Sequence, residues 1–261
     1  MDTAASADGT PIAYEQIGEG PVVVIVGGAL STAVDAAPLA GALAAAGFRA
    51  ITYDRRARGS SGDTRGSTPQ HEAEDLAAVI EASGAAGEAS VLGHSSGAVL
   101  ALFAASMGVS VRALFLSEPP FRFGAGEPAD DLAERLQRLV DEGRGEDAVA
   151  TFQLEGIELP RDMVEGMRAA GQLAPLAPLA QSTVYDVQLT RQVSTPTAEM
   201  RSVGVPVTIL RGEQTFPFLI GAADRLAQEM DAAELVVVPE SVMHRPDPEA
   251  TARVVRKRLR G

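Results

Sequence analysis

Short runs of consecutive apolar residues alternate along the chain with longer Ala- and Leu-rich stretches of helical periodicity. Continuous apolar character is typical of parallel strands that helices cover on both faces. The predicted strands are Val22–Val26, Arg49–Tyr53, Ala89–Leu92, Ala113–Leu116, Val207–Leu210 and Leu235–Val238, with Ile12–Ile17 as an antiparallel edge strand. The predicted helices are Ala36–Ala46, His71–Ser83, Gly97–Met107, Ile220–Met230 and Pro248–Leu259. This pattern predicts an α/β fold with a mostly parallel twisted sheet and helices on both faces.

The alternation stops between residues 119 and 201, where helical periodicity continues but no convincing strand occurs. The candidate helices there are Asp130–Glu142, Gly145–Glu155, Arg161–Gly171 and Leu179–Arg191. A helical block between two strands of a parallel sheet predicts a lid, with residues 1–118 and 202–261 as the core. The alternative is a second helical packing layer that does not gate access to a site.

Composition narrows the function classes. The chain has 261 residues, of which 46% are hydrophobic, so one domain or one domain with a modest insertion is expected. The net charge of −13 disfavours nucleic acid and anionic membrane surfaces as partners. The absence of cysteine excludes thiolate catalysis, disulfides and cysteine-based zinc sites. No signal peptide or membrane-spanning run is visible, so a cytoplasmic protein is expected.

The segment Gly93-His94-Ser95-Ser96-Gly97 fits the pattern Gly-x-Ser-x-Gly. It directly follows a predicted strand and directly precedes a predicted helix, which is the setting of a nucleophile elbow. Glycines two positions before and after the serine allow the strand and the helix to approach closely. The pattern therefore predicts that the Ser95 hydroxyl projects from the carboxyl edge of the sheet as a nucleophile. A glycine-rich turn with a helix-capping serine is the structural alternative.

Two further segments extend this pattern. Gly27-Gly28-Ala29 follows the first strong strand, and Asp54-Arg55-Arg56-Ala57-Arg58-Gly59-Ser60-Ser61 follows the next. With the elbow they resemble the α/β-hydrolase superfamily, where these turns usually read His-Gly-x and Asp-x-Arg-Gly-x-Gly-x-Ser. The resemblance implies that the backbone N–H groups of Ala29 and Ser96 form an oxyanion hole. It also implies that the arginines stabilise a turn, while glycine at position 27 departs from the usual histidine.

The chain contains three histidines, and one of them has the position expected of a general base. His244 lies in a loop after the last predicted strand and before the last helix, where α/β hydrolases carry the base of the catalytic triad. For Ser95 to attack an acyl carbon near neutral pH, a neighbouring imidazole must accept its proton. His71 is expected at a solvated helix start, and His94 is expected to point away from Ser95 as a packing residue.

The acid of the triad departs from the superfamily pattern. The superfamily commonly places Asp after the penultimate strand as Gly-x-x-Asp, but here the segment reads Gly212-Glu213-Gln214-Thr215. Glu118 is favoured instead, because it follows an earlier strand and the prolines after it stiffen its loop. Glu213 is the second candidate, and Asp224 is expected to solvate the next helix. A triad without an acid remains a third possibility.

These residues predict a hydrolase of a carboxylic ester, thioester or lactone that acts through a Ser95 acyl-enzyme, without a metal or cofactor. A serine at the elbow argues against epoxide hydrolases and dehalogenases, which use a carboxylate there. The Phe, Met, Leu and Pro residues of the insertion suggest a small-molecule substrate with an apolar acyl group or ring. The missing Asp keeps two alternatives open, namely a cofactor-free cyclase, lyase or perhydrolase, and a ligand-binding protein without activity. The sequence makes no prediction of oligomeric state.

Overall fold

A computed structural model describes residues 1–260 and contains one mixed sheet flanked by helices. The strands are β1 (Asp2–Ala5), β2 (Pro11–Ile17), β3 (Val22–Val26), β4 (Arg49–Tyr53), β5 (Ser90–His94), β6 (Ala113–Ser117), β7 (Val207–Arg211) and β8 (Ala233–Val237). Their order in the sheet is β1-β2-β4-β3-β5-β6-β7-β8. In this order, every pair from β4–β3 to β7–β8 is parallel. The β1–β2 and β2–β4 pairs are antiparallel.

Ten α-helices lie within the described residues. They are α1 (Ala37–Ala45), α2 (Pro69–Ala82), α3 (Ser96–Ser106), α4 (Leu132–Asp141), α5 (Gly145–Thr151), α6 (Arg161–Ala169), α7 (Ala180–Gln192), α8 (Ala198–Arg201), α9 (Pro217–Glu229) and α10 (Pro248–Arg260). Ala33–Ala36 and Ala174–Leu179 form 3-10 turns, and Phe152–Gly156 forms a π-helical turn.

The predicted strands and the helices of the sheet layer match this architecture to within a few residues, which confirms the fold class. Ile12–Ile17 is confirmed as an antiparallel strand, within β2, but its predicted position at the edge of the sheet is wrong, because β1 pairs with β2 from outside. The four residues of β1, Asp-Thr-Ala-Ala, contain no apolar run and so gave no strand signal. The predicted helix Gly145–Glu155 is in fact α5 followed by the π-helical turn.

The central strand β3 shows why its residues are uniformly apolar. Val22, Val24 and Val26 belong to the core under α2, α3 and α9, whereas Val23 and Ile25 belong to the core under α1 and α10. Successive side chains of a strand point to opposite faces, so a strand covered on both faces must be apolar at every position. The core therefore lies on both sides of the sheet and leaves its carboxyl edge free for a site.

The segment between β6 and β7 is helical throughout its regular structure and has an apolar cluster of its own. This cluster includes Leu136 of α4, Val149 of α5 and Val184 of α7. Helix α7 also packs against α2 and α3, so the insertion rests on the sheet layer. Its assignment as a separate lid over residues 119–201 stays a prediction. Within residues 1–260, no helix combines the length and apolar character that a membrane crossing requires.

Candidate active site

Ser95 lies in a tight turn between β5 and α3, with φ 55° and ψ −126°. A side chain on either flanking glycine would not fit, since a Cβ at Gly93 would lie 2.3 Å from the carbonyl oxygen of Gly97, and one at Gly97 would lie 2.2 Å from that of Val26. The glycines thus allow the strand and the helix to meet at a sharp angle. Ser95 is thereby placed at the carboxyl edge of the sheet, in the wall of a cavity.

His244 and Glu118 form a short hydrogen bond beside this turn. The Nδ1 atom of His244 lies 2.5 Å from Oε2 of Glu118. Glu118 also accepts hydrogen bonds from the backbone N–H of Gly212, at 2.9 Å, and from the hydroxyl of Thr215, at 3.0 Å. Burial raises the pKa of Glu118, but the hydrogen bonds from His244, Gly212 and Thr215 outweigh burial and hold that pKa below its ordinary value. Glu118 is therefore a carboxylate near neutral pH.

The structure brings His244 together with Glu118 and not with the other carboxylates considered. Glu213 is exposed and makes no hydrogen bond to His244. Asp224 accepts a hydrogen bond at 2.7 Å from an arginine of β7. Thr215, which stands where the superfamily commonly has Asp, supports the carboxylate of Glu118.

Ser95, Glu118 and His244 share an unusual backbone conformation. Their φ angles are 55°, 47° and 62°, in the left-handed region that residues other than glycine seldom adopt. Such conformations cost about 1–3 kcal/mol each and persist where the surrounding structure holds them in place. Three of them at one edge of a sheet mark this edge as a candidate functional site.

His94 is also part of this site. Its ring centroid lies 4.5 Å from that of His244, and it lines the same cavity as Ser95. The packing role predicted for His94 agrees with this contact and with the 3.4 Å distance from its Nδ1 to the Ser117 hydroxyl, although His94 and Ser95 line one cavity. Burial, and then proximity to His244, lower the pKa of His94 to about 3, so this imidazole is neutral at physiological pH.

The glycine-rich loop after β3 lies against the elbow. A Cβ at Gly28 would lie 3.0 Å from that of Ser95, and both Ala29 and Ser96 line the cavity. Among the described residues, the N–H of Ala29 donates no hydrogen bond. The N–H of Ser96 opens α3, where helical N–H groups have no intrahelical acceptor. Two backbone donors are thus available beside Ser95.

Two buried arginines hold this loop from beneath. Arg58 donates to the carbonyl oxygen of Gly28 at 2.5 Å and to Asp186 Oδ2 at 2.8 Å. Arg55 donates to the carbonyl oxygen of Gly27 at 3.3 Å and to Asp186 Oδ1 at 3.0 Å. Asp186 belongs to α7, so one carboxylate of the insertion holds both arginines. This carboxylate could not be foreseen from the sequence, because no motif surrounds it.

The same network reaches the elbow and α2. The Ser96 hydroxyl donates to Asp186 Oδ1 at 2.7 Å, and Arg55 forms two hydrogen bonds to Glu72, at 2.8 and 2.9 Å. The side chains of Arg55, Arg58, Glu72 and Asp186 are all at most 2% exposed. Burial raises the pKa of Asp186, but the two guanidinium groups outweigh burial and keep that pKa below its ordinary value. The prediction that the arginines stabilise a turn agrees with these contacts, which in addition join three elements around Ser95.

Arg56 is equally buried but belongs to a different network. It pairs with Asp75 at 2.6 Å and with Asp8 at 3.1 Å, and it also donates to the hydroxyl of Ser67. None of its hydrogen bonds reaches the loop after β3 or the elbow. Arg56 is therefore an internal comparison for the roles of Arg55 and Arg58.

A cavity of about 560 Å³ opens over Ser95 and His244. The insertion and the loop after β7 supply most of its wall, which is largely apolar. The apolar and aromatic side chains in that wall are Pro120, Pro128, Phe152, Ile157, Leu159, Pro160, Phe216, Pro217, Phe218 and Leu219. The charged side chains in the wall are Arg122, Glu158 and Asp186.

The lowered pKa of His94 generates a prediction about acid stability. A histidine whose pKa is lower in the folded state than in the unfolded state makes the folded state less stable as pH falls below about 6.5. His94→Asn removes this group, so the free energy of unfolding should fall less steeply between pH 6.5 and 4 than it does in the wild type. Denaturant titrations at a series of pH values measure that slope, with His71→Asn, outside the cavity, as the control. An unchanged slope in His94→Asn would contradict the neutral buried state.

Comparisons with known proteins place the chain in a family. Residues 22–254 match the sequence profile of the Alpha/beta hydrolase family. The crystal structure of an alpha/beta hydrolase from Sphaerobacter thermophilus DSM 20745 is 40% identical in sequence and superimposes with a TM-score of 0.88. That match covers 98% of this chain and 99% of the other.

Two more distant structures share the fold. An enol-lactonase from Burkholderia xenovorans LB400 is 21% identical with a TM-score of 0.69, and covers 99% of this chain and 98% of its own. A thermophilic esterase from Thermogutta terrifontis is 20% identical with a TM-score of 0.76, and covers 99% of this chain and 97% of its own. No curated protein matches the sequence significantly. The resemblance inferred from the turns and the elbow is therefore confirmed. The chain belongs to the alpha/beta hydrolase family and is, in general terms, a hydrolase.

Proposed function

We propose that this hydrolase cleaves a carboxylic ester, thioester or lactone through an acyl-enzyme on Ser95. The observation that carries the proposal is the His244–Glu118 hydrogen bond in the loops beside Ser95, with Ser95 and His244 in the wall of one cavity. With Nδ1–H of His244 donated to the ionised Glu118, the Nε2 atom of His244 is left as a proton acceptor. An imidazole so oriented accepts the Ser95 proton as the hydroxyl oxygen attacks the acyl carbon.

The following steps use the same groups. The attack converts the acyl carbonyl oxygen to an oxyanion, which the N–H groups of Ala29 and Ser96 stabilise by about 3 kcal/mol per donor. The proton on His244 passes to the leaving alcohol, thiol or ring oxygen as its bond to carbon breaks. Water then gives a proton to His244, attacks the acyl-enzyme and releases the acid, and Ser95 recovers its proton.

The cavity supports the kind of substrate that this proposal requires. Its wall is mostly apolar, with Phe152 and Leu159 from the insertion facing the same space as Phe216 and Leu219 from the other side. We therefore expect a small molecule with an apolar acyl group or ring. In this proposal residues 119–201 act as the cap that covers the substrate.

Covalent labelling tests the nucleophile. A fluorophosphonate probe should add its mass to a peptide containing Ser95, and Ser95→Ala should abolish both labelling and ester hydrolysis. Intact-protein and peptide mass spectrometry measure the adduct, with thermal unfolding as the check that both proteins are folded. A folded wild type that is never labelled would contradict the acyl-enzyme. Activity that survives Ser95→Ala but not His244→Ala would indicate a reaction without an acyl-enzyme.

A pair of carboxamide substitutions tests the acid. Glu118→Gln should lower kcat by about 10²- to 10⁴-fold, because a neutral amide neither fixes the correct tautomer of His244 nor stabilises the imidazolium. Glu213→Gln should change kcat by less than about twofold, since Glu213 is exposed and does not contact His244. Steady-state kinetics on an activated ester measures both. The assignment fails if Glu213→Gln is the damaging change.

Arg58 has a testable part in the oxyanion hole. The Gly28 carbonyl that accepts from Arg58 and the Ala29 N–H belong to one peptide group, so a cation at the oxygen makes that N–H a stronger donor. Arg58 uses one nitrogen for the Gly28 carbonyl and a second for Asp186, an arrangement that the single ammonium of lysine cannot reproduce. Arg58→Lys should therefore lower kcat about tenfold with little change in KM, because the oxyanion forms after the substrate binds. Its affinity for a boronic acid that mimics the tetrahedral adduct should fall in parallel.

Arg56→Lys is the matched control for this test. Arg56 is as buried as Arg58 and forms two ion pairs where Arg58 forms one, but none of its contacts reaches the loop after β3. It should lower thermal stability without lowering kcat or the boronic acid affinity. Equal loss of kcat in both variants would show that Arg58 acts only through the stability of the fold.

A further inference from the structure

Arg122 is the cation of the cavity wall, and its side chain is fixed in place. It follows β6, only four residues after Glu118, and its guanidinium carbon lies 4.4 Å from the centre of the Phe218 ring. Its Nη2 atom is 3.4 Å from the carbonyl oxygen of Gly156, and its backbone N–H donates to the carbonyl oxygen of Ser194 at 2.8 Å. The side chain is only 9% exposed. A guanidinium held this firmly in an apolar wall requires an anion.

The anion that Arg122 contacts in the structure is an exchangeable one. Glu158 Oε2 lies 2.8 Å from Nη1 of Arg122, yet the Glu158 side chain is 58% exposed. Ion pairs that reach solvent are weak, so water can replace Arg122 as the partner of Glu158. Water cannot replace Glu158 as the partner of Arg122 in the same way, because so little of the Arg122 side chain is exposed.

Glu158 also leaves much of the guanidinium unused. Its carboxylate bonds to Nη1 alone, and among the described residues Nε of Arg122 has no hydrogen-bond partner. A carboxylate that bonds to two nitrogens of a guanidinium is held more strongly than one that bonds to a single nitrogen. A ligand carboxylate inside the cavity can therefore displace Glu158 into solvent.

The other charged groups of the cavity wall do not compete for this role. Asp186 is already bonded to Arg55 and Arg58, and burial keeps His94 neutral. Because the whole chain carries a net charge of −13, an anionic ligand gains no long-range attraction and depends on a local cation. In the cavity wall that cation is Arg122.

We propose that Arg122 binds a carboxylate of the substrate and that Glu158 occupies this subsite when the cavity is empty. The substrate class is then an ester, thioester or lactone whose apolar acyl part ends in a carboxylate remote from the scissile bond. This inference rests on the proposed function for the identity of the scissile bond. The recognition itself involves no covalent step, so it is testable by binding alone.

The test uses the full chain with Ser95→Ala, which cannot form an acyl-enzyme, and two probes that differ by one charge. Isothermal titration calorimetry measures the Kd of monomethyl glutarate and of the neutral dimethyl glutarate. Monomethyl glutarate should bind about tenfold to hundredfold more tightly than dimethyl glutarate. Adding Arg122→Met should remove that preference, and adding Glu158→Gln should tighten monomethyl glutarate alone, because the competing carboxylate is gone.

Arg225→Met is the matched control, since Arg225 also stacks on an aromatic ring, Phe123 at 4.3 Å, and pairs with a glutamate, but lies outside the cavity wall. It should leave both Kd values unchanged. The proposal is overturned if monomethyl glutarate does not bind, if Arg122→Met binds it as tightly as the parent, or if Glu158→Gln weakens both probes equally. Binding of methyl 4-(trimethylammonio)butyrate that is lost with Glu158→Gln would also overturn it, by assigning recognition to Glu158. Failure of the acyl-enzyme shows separately, as absent labelling of Ser95.

Discussion

Two guanidinium groups lie side by side beneath the loop after β3, and one carboxylate from the insertion, Asp186, binds both of them. Each charge has been taken out of water, at a cost of several kcal/mol per ion that is recovered only where the hydrogen bonds are nearly complete. Arg55 and Arg58 approach that condition by bonding the carbonyls of Gly27 and Gly28 as well as their carboxylates, although the buried Nε of Arg58 has no hydrogen-bond partner among the described residues. The loop beside Ser95 is therefore fixed by charge, and loss of any member leaves an uncompensated buried ion.

The position of the proposed acid, Glu118, follows from the geometry of the sheet. Strands β6 and β7 are parallel neighbours with Ser117 beside Leu210, and the backbone N–H of Glu118 donates to the carbonyl oxygen of Leu210. The carboxyl ends of the two strands are thus adjacent, and a side chain leaving either end can reach the same space. Glutamate at 118 reaches His244 from β6, and Thr215 then stabilises that carboxylate by a hydrogen bond. A carboxylate that follows β6 thus reaches the same space beside His244 as one that follows β7 would reach.

The sequence predicted those features that short patterns determine. The apolar runs located the parallel strands because burial on both faces removes polar residues from a strand such as β3, and the glycines around Ser95 located the elbow because the turn excludes Cβ atoms. Strand β1 was not predicted, because its residues show no apolar pattern. The choice between Glu118 and Glu213 stayed open because it depends on the alignment of two strands. The roles of Asp186 and Arg122 were not predicted for a similar reason, since their partners are distant in sequence and no local periodicity indicates them.

The network around Asp186 also restricts how the proposed cap can move. A cap that opened as one rigid body would carry α7 away from the sheet layer and leave Arg55 and Arg58 without their shared carboxylate, while Ser96 would lose its hydrogen bond. Removing one partner of a buried ion pair costs about 3–5 kcal/mol, so that opening is disfavoured. The contact between Arg122 and the exposed Glu158 has no comparable cost. Movement of the wall is therefore expected at the exposed Glu158 and not at α7, and such movement leaves Arg122, which we propose to recognise the substrate, in its place.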